Sequence, residues 1–261
     1  MNNIPSVVLA GGRASPELAA RIGSQVRALA PFNGTRLIDL VVGALQQSDL
    51  NGVVTVVGDV GEMLSVEHVA DQGDFVSNII AGVSGLRDAD WALITSADLP
   101  FLTGPVIGGF VQEALTRAKA TDAEIIYPVV SVDTCYLKYP GIKRTAIRLN
   151  EGRFTGGNMI LARPRFFLQR RKVLTQAFAA RKSPLRLAQM LGFGTVVRLV
   201  ASQLLLPRLL DIAQLEMSVG RLMQGKVAAL ISDSPELATD LDRASDFAHA
   251  SAIAGTGTAA K

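Results

Sequence analysis

The sequence predicts an α/β fold in which a mostly parallel sheet is covered by helices on both faces. Short runs rich in valine and isoleucine alternate with segments whose apolar residues recur at helical spacing. Because the runs are apolar on both faces, they are typical of parallel strands that lie between two layers of helices. The 261 residues are 49% hydrophobic and 19% charged, which provides a large core and excludes a disordered chain.

Six strands are predicted from the apolar runs. In chain order they are Ile4–Ala10, Val53–Gly58, Trp91–Ser96, Glu124–Val130, Met159–Ala162 and Val227–Ser232. The first is followed by Gly11 and Gly12, and the third is followed by Ala97 and Asp98. Right-handed crossovers place the loops after parallel strands at one edge of the sheet, where ligands usually bind. The residues that follow each strand are therefore the candidates for function.

Segments with the spacing of amphipathic helices separate the strands. They are Thr35–Gln47, Ser77–Leu86 and Pro105–Ala118. Residues 164–222 are rich in leucine and arginine, and we expect them to form a helical insertion before the last strand. We expect a single domain over residues 1–250, and a flexible tail over the small residues of 251–261.

The charge balance favours a small anionic substrate over nucleic acid. The chain has 26 basic and 23 acidic residues, and only 5% of its residues are aromatic. A nucleic-acid groove would instead show clustered basic residues interleaved with aromatic ones. The single cysteine, Cys135, excludes a disulfide framework and a cysteine zinc site, and it predicts a reducing compartment, the cytoplasm.

Nothing in the sequence predicts a signal peptide or a membrane-spanning segment. The N-terminus lacks a basic region before its apolar run, and no uncharged apolar stretch reaches about 18 residues. Residues 185–210 are apolar with scattered arginines, so an amphipathic segment at a membrane surface stays an alternative. Such a segment is more often a buried pair of helices, and membrane association is not the main expectation.

The first motif, which we call the glycine loop, consists of Leu9, Ala10, Gly11, Gly12 and Arg13. A strand that ends in two glycines permits a turn whose backbone N–H groups face a phosphate, because no Cβ blocks the approach. The arginine can add a charge-assisted contact to the same phosphate. The motif is neither a Walker A loop nor GxGxxG, and an ordinary turn after a strand is the alternative.

The second and third motifs are acidic. Asp98 directly follows a buried strand, where a carboxylate can hold Mg²⁺ together with substrate phosphates. Asp240 and Asp242 alternate near the end of the chain, so both can face one side and complete a metal site with Asp98. The alternatives are a turn or capping role for Asp98, and a capped terminal helix with solvated acids for the later pair.

The fourth motif is the turn at Gly156, Gly157 and Asn158, which precedes a strand. Paired glycines allow close backbone approach, and the amide side chain offers both a donor and an acceptor. The stretch before this turn is basic and includes Arg144 and Arg148, which could bind an anionic acceptor. Alternatively, those arginines are solvated charges on the protein surface.

These motifs, in this order, resemble the nucleotidyltransferase superfamily of the molybdenum-cofactor guanylyltransferase (MobA-like) kind. The resemblance spans roughly residues 4–162 and 227–247. It rests on VVLAGG (7–12), PFNGTRLIDLVVGAL (31–45), NIIAGVSGL (78–86), SADLPFLT (96–103) and DLDRASDF (240–247). It implies a Rossmann-like nucleotidyltransferase (GT-A type) fold and the Mg²⁺-dependent transfer of a nucleotidyl group from an NTP to a small acceptor, with release of pyrophosphate.

The resemblance also implies roles for individual residues. The implied catalytic residues are Arg13, Arg27 and Asp98. The implied metal ligands are Asp98 and Asp242, with Asp240 as a substitute. The implied nucleotide-binding residues are Leu9, Ala10, Gly11, Gly12, Asn78 and Gly82. By their position, the expected acceptor-binding residues are Arg144, Arg148, Gly157 and Asn158.

One position departs from the family pattern. Arg27 stands where the family usually has lysine, and although the positive charge is kept, the two side chains are not equivalent. A nucleotide-binding module without catalysis is therefore an alternative function. A glycosyltransferase that uses a nucleotide-sugar is another, but such enzymes normally carry Asp-x-Asp after a central strand, where this chain has Ser96-Ala97-Asp98.

Overall fold

A computed structural model describes residues 3–180, 193–204 and 207–258. The strands are β1 (Ile4–Leu9), β2 (Pro31–Phe32), β3 (Thr35–Arg36), β4 (Asn51–Val57), β5 (Glu67–Val69), β6 (Ala92–Ser96), β7 (Ile125–Ser131), β8 (Ile147–Leu149), β9 (Gly152–Gly156), β10 (Met159–Ala162) and β11 (Val227–Ser232). The helices are α1 (Pro16–Ile22), α2 (Leu37–Gln46), α3 (Phe75–Val83), α4 (Gly104–Thr121), α5 (Val132–Lys138), α6 (Pro164–Gln169), α7 (Arg171–Ala180), α8 (Phe193–Leu204), α9 (Ile212–Met223) and α10 (Ala244–Thr258). All six predicted strands are present, with ends that differ by up to two residues.

The main sheet of the described residues has nine strands. Eight of them follow the order β5-β4-β1-β6-β10-β7-β9-β8, in which β10 and β9 pair with successive parts of β7. The ninth, β11, also pairs with β7. Strands β5, β4, β1 and β6 are parallel to one another, and β11 is parallel to β7. The expectation that Met159–Ala162 belongs to the parallel set is wrong, because β10 runs antiparallel to both β6 and β7. The tight turn at Asn150 and Glu151 reverses the chain between β8 and β9, and β10 continues in the direction of β9.

Apolar side chains lie on both faces of the sheet, as the strand sequences predict. In β1, Val8 packs with residues of α2 and α4 on one face, whereas Val7 packs with residues of α3 and α6 on the other. The three predicted helices correspond to α2, α3 and α4. Helix α3 begins earlier than predicted because Asp74 accepts hydrogen bonds from the backbone N–H groups of Val76 and Ser77, each 3.0 Å long.

The described residues of the segment expected to be a helical insertion are mainly helical, since α6 to α9 lie between residues 164 and 223 with short connections between them. The membrane-surface hypothesis falls on residues 185–210, of which 185–192 and 205–206 lie outside the described residues. Within the described part of the chain, none of the helices combines the length and the apolar character that crossing a bilayer requires. Helix α10 includes most of the segment expected to be a flexible tail, and residues 259–261 are not described.

Strand β11 pairs with β7 on one side, and side chains bind its opposite edge. The backbone N–H of Ala229 donates to Glu216 Oε1 (2.6 Å), and the Ala229 carbonyl accepts from Arg117 Nε (3.2 Å). The two side chains also form an ion pair with each other, with Arg117 Nη2 3.1 Å from Glu216 Oε1. Two helices, α4 and α9, therefore supply the groups that satisfy this backbone position.

Candidate functional site

Three carboxylates meet at the carboxyl edge of the sheet, and we call them the acidic cluster: Asp98, Asp240 and Asp242. One oxygen from each lies within 4.8 Å of those of the other two. Asp98 lies two residues after the end of β6, whereas the other two follow β11 and a 3₁₀ turn, Pro235–Ala238. The backbone N–H of Leu241 donates to the Asp98 carbonyl (3.0 Å), which holds the two segments together. The predicted metal ligands are thus close in space although 144 positions separate Asp98 from Asp242.

Arg27 lies between two members of the acidic cluster. Its Nη2 is 2.5 Å from Asp98 Oδ2, and its Nη1 is 2.5 Å from Asp242 Oδ1. Its backbone N–H donates to the Gly12 carbonyl (2.9 Å), so the arginine is fixed to the glycine loop. Burial lowers the pKa of Arg27, but the charges of Asp98 and Asp242 outweigh burial and the net shift is upward. The guanidinium is therefore a permanent positive charge at this point.

The two carboxylates that Arg27 contacts, Asp98 and Asp242, differ in their surroundings. Asp98 is buried, and burial raises its pKa, while the charge of Arg27 and a 2.5 Å hydrogen bond from Ser96 Oγ favour the ionised form. Asp242 has a side chain that is 49% exposed, and partial burial raises its pKa to about 6. A buried carboxylate requires a cation as a partner. Clustered carboxylate oxygens are also the ligands that Mg²⁺ prefers, so this donor set fits a divalent cation.

Divalent-cation binding is expected to weaken as the pH falls from 7 to 5, because a carboxyl group must lose its proton before it binds a metal ion. Burial raises the pKa of Asp242 to about 6, and its acidic neighbours add to the shift while Arg27 opposes it. Below that pH, each unit should lower Mn²⁺ affinity about tenfold, as measured by electron paramagnetic resonance. An ordinary aspartate, with a pKa of about 4, would give a flat profile over this range, and that result would contradict the prediction.

Arg144, which the sequence places among the acceptor-binding residues, lies beneath the acidic cluster. Its side chain is 6% exposed and forms an ion pair with Asp240. Its Nη2 also donates to the Asp240 backbone carbonyl (2.9 Å). The guanidinium is therefore already paired with this chain, and no free charge is presented to an acceptor. The expectation of acceptor binding did not foresee this pairing, because the two residues are 96 positions apart and sequence spacing does not reveal the contact.

The other expected acceptor residues lie in two places. Arg148 is exposed, and its backbone N–H donates to Gln203 Oε1 of α8 (3.0 Å). The turn at Gly157 and Asn158 is next to the acidic cluster, since the Asn158 carbonyl accepts from the Ser96 backbone N–H (3.0 Å). A Cβ at Gly157 would lie 2.7 Å from Pro128 Cγ, so glycine is required there by close packing. The turn is therefore beside the acids, Arg144 is paired with one of them, and Arg148 contacts α8.

The glycine loop leaves the sheet between two neighbouring strands. The Leu9 carbonyl accepts from the Ala97 N–H (3.1 Å), and the Ala10 N–H donates to the Val57 carbonyl (2.7 Å). A Cβ at Gly12 would lie 3.0 Å from Arg27 Nη2, so the loop backbone and the guanidinium are in close contact. Arg13 is exposed beside them, and its backbone pairs with that of Val26 in an isolated antiparallel β-bridge.

Asn78, an implied nucleotide-binding residue, is buried at the start of α3 and organises the loop before it. Its Nδ2 donates to Asp71 Oδ1 (2.7 Å), and its Oδ1 accepts from the Gln72 backbone N–H (2.7 Å). A Cβ at Gly11 would lie 2.6 Å from both Asn78 Nδ2 and Asp71 Oδ1. Sequence reasoning missed Asp71, because the strand before it, β5, has only three residues and no buried apolar run.

Gly82, the other implied nucleotide-binding residue, is buried on the side of α3 that faces the sheet. Gly82→Ala is expected to lower the free energy of unfolding by about 1–3 kcal/mol, because the added methyl would lie 2.4 Å from Val7 Cγ1 and 2.9 Å from Val57 Cγ2. Urea unfolding measures this change. The matched control is Gly85→Ala, where a Cβ meets nothing within 4 Å and we expect no loss. Equal losses in both variants would refute the close-packing argument.

Comparison with known proteins gives a family and a fold. The sequence matches the family model described as the MobA-like NTP transferase domain over residues 6–210. No curated protein matches the sequence. A hypothetical transferase from Thermus thermophilus is 29% identical with a TM-score of 0.80, and the match covers 95% of this chain and 100% of that one.

Two more distant structures share the fold. A nucleotidyl transferase from Methanothermobacter is 16% identical with a TM-score of 0.55, and the match covers 98% of this chain and 100% of that one. A CMP:2-keto-3-deoxy-manno-octonic acid synthetase complexed with CTP is 10% identical with a TM-score of 0.54, again over 98% and 100%. The predicted Rossmann-like nucleotidyltransferase fold is confirmed. Since the family match covers most of its length, the chain belongs to the MobA-like NTP transferase domain family.

Proposed function

We propose that the protein is a Mg²⁺-dependent nucleotidyltransferase that transfers an NMP group from an NTP to a small anionic acceptor and releases pyrophosphate. The observation that carries this proposal is the position of Arg27, which contacts both the acidic cluster and the glycine loop. The groups proposed to bind phosphate and metal therefore meet at one point on the edge of the sheet. Membership of the MobA-like NTP transferase domain family supports the same reaction class.

The reaction needs alignment and charge stabilisation more than proton transfer. An acceptor oxygen forms a bond to the α-phosphorus, the bond from that phosphorus to the bridging oxygen breaks, and pyrophosphate leaves with the electron pair. Backbone N–H groups of Gly11 and Gly12 would bind phosphate oxygens, and Arg13 and Arg27 would stabilise the negative charge of the leaving group. A phosphorylated acceptor brings an anionic oxygen, so no general base is required.

Asp98 and Asp242 would hold the divalent cation, which supplies Lewis-acid stabilisation of the phosphate charge when it is bound. Asp240 is paired with the buried Arg144, whereas Arg27, the partner of the other two carboxylates, would turn to the phosphates and leave those two for the metal ion. The nucleotide would be positioned by the shape of the glycine loop, which includes Leu9 and Ala10. The packing of α3, which carries Asn78 and Gly82, would support that shape. A structural neighbour that was solved in complex with CTP supports an NTP as the donor.

The acceptor would approach from the turn at Gly157 and Asn158, because that turn is hydrogen-bonded to the strand end that carries Asp98. Exposed Arg148 could attract an anion at longer range, whereas Arg144 would act only through Asp240. The lone cysteine, Cys135, is buried and burial raises the pKa of its thiol, which supports a structural role. A thiol of this kind also suits the proposed cytoplasmic location.

The function is tested by measuring pyrophosphate release with Mg²⁺. Each of ATP, CTP, GTP and UTP is incubated with the protein and pooled phosphorylated metabolites. We expect release with one or two of the NTPs, and only when acceptors are present. Thermal stabilisation by an NTP without any release would instead identify a nucleotide-binding module, and transfer of sugar from a nucleotide-sugar would identify a glycosyltransferase. Either result would overturn the proposal.

A further inference from the structure

Arg27 occupies the centre of the site where a divalent cation would be bound. Its two terminal nitrogens reach different carboxylates, Asp98 and Asp242, at 2.5 Å each. The side chain is 23% exposed, so the ion pairs are partly shielded from water. One guanidinium therefore takes an oxygen from each of the two carboxylates that would bind a metal ion.

This arrangement satisfies the charges without a metal ion. Asp98 is buried, and a buried carboxylate without a cation is strongly unfavourable. Arg27 supplies the positive charge, and its planar fork of donors matches carboxylate oxygens. A divalent cation that enters the same space must break both ion pairs, so binding of the cation alone is opposed by the chain itself.

The same guanidinium is in contact with the glycine loop. A Cβ at Gly12 would be 3.0 Å from Arg27 Nη2, and the Arg27 backbone N–H donates to the Gly12 carbonyl. Phosphates bound at this loop would therefore compete with the carboxylates for the guanidinium. Because Arg27 Nη2 already lies beside the loop backbone, a phosphate bound at the loop would be close to the guanidinium.

We propose that Arg27 is an internal counter-ion that holds the divalent-cation position in the nucleotide-free protein, and that phosphates at the glycine loop draw it away. This inference rests on the proposed function, because it assumes that the loop binds the phosphates of an NTP. The cation and the nucleotide then bind cooperatively, and by linkage each raises the affinity of the other by the same factor. Metal binding without nucleotide is correspondingly weak.

The test measures Mn²⁺ binding to the full chain in the absence of nucleotide, by electron paramagnetic resonance. Arg27→Gln, which replaces the guanidinium with a shorter, uncharged polar side chain, is expected to bind Mn²⁺ about tenfold more tightly than the unaltered protein. Arg13→Gln is the matched control. It removes the same charge from the glycine loop that Arg27 contacts, and among the described ion pairs none involves Arg13, so we expect no comparable gain.

Two further variants keep the result interpretable. Arg27→Lys preserves a positive charge that protects the fold, but lysine is a point charge and cannot bridge both carboxylates as a fork, so we expect an intermediate gain. Adding Asp98→Asn to Arg27→Gln should remove the gain, because one ligand is lost. Unchanged or weaker Mn²⁺ binding in both Arg27 variants, with their folds intact by circular dichroism, would overturn the inference.

The inference and the proposed function fail in different ways. Tighter Mn²⁺ binding in Arg27→Gln, with no pyrophosphate release by the unaltered protein under any condition, would support the counter-ion and reject the transferase. Pyrophosphate release by the unaltered protein, with no gain of Mn²⁺ affinity in the Arg27 variants, would support the transferase and reject the counter-ion.

Discussion

Asp98→Asn is expected to lower the rate of pyrophosphate release by about 10²–10³-fold, the loss typical of removing one group that stabilises transition-state charge. The substitution keeps the shape of the side chain and one oxygen, but it removes the negative charge. A neutral amide binds a divalent cation more weakly, and it no longer forms an ion pair with Arg27, which is 2.5 Å from Asp98 in the structure. The rate is measured with the NTP and acceptor identified in the release assay.

Asp90→Asn is the control for this variant, because Asp90 is an exposed aspartate just before the same strand, at the opposite edge of the sheet. We expect its rate to equal that of the unaltered protein. Thermal melting of both variants shows that the fold is intact. An Asp98→Asn protein that melts normally and keeps its full rate would remove this carboxylate from the catalytic machinery.

Arg144→Met is expected to lower the free energy of unfolding by about 3 kcal/mol, because removing one partner of a buried ion pair leaves the other charge uncompensated. Here that charge is Asp240, which is 18% exposed and lies within the acidic cluster, so its neighbours repel it. For a chain of this size the loss corresponds to a fall in melting temperature of roughly 6–12 °C. Urea unfolding and thermal melting both measure it.

The matched comparisons separate a structural role from acceptor binding. Arg148→Met changes an exposed arginine and should alter stability by less than about 0.5 kcal/mol. Adding Asp240→Asn to Arg144→Met removes the uncompensated charge and should restore much of the lost stability. If Arg144→Met instead melts normally and raises the acceptor KM, the arginine binds acceptor, as the sequence suggested.

Local patterns were sufficient to predict much of the fold. Apolar runs identified six strands of the main sheet but not the five-residue β9, and Asp98 was found because it comes just after the end of β6. Strand β5 was missed because its three residues are mostly exposed, and the direction of β10 was missed because it depends on the β8–β9 turn. These errors share a cause, since strand direction and short edge strands are decided by pairing partners that lie far away in the sequence.

The candidate site shows the same division. The motifs located the glycine loop and the acids, but they did not show that Arg144 is paired with Asp240 or that Arg27 spans two carboxylates. Both contacts join segments that are more than 70 residues apart. A basic residue near a motif can bind substrate or balance a buried acid, and only the burial of its side chain decides between the two.

The side chains of Arg117 and Glu216 that bind the backbone of Ala229 affect how a second copy of this chain could pair with β11. An edge strand normally exposes a row of donors and acceptors that another strand can extend, which is a route to aggregation. At this position Arg117 and Glu216 imitate a neighbouring strand, since one side chain donates to the carbonyl and the other accepts from the N–H. A second chain could add here only by displacing both groups and breaking their ion pair. At Ala229, the edge of β11 is therefore protected against pairing with a further strand.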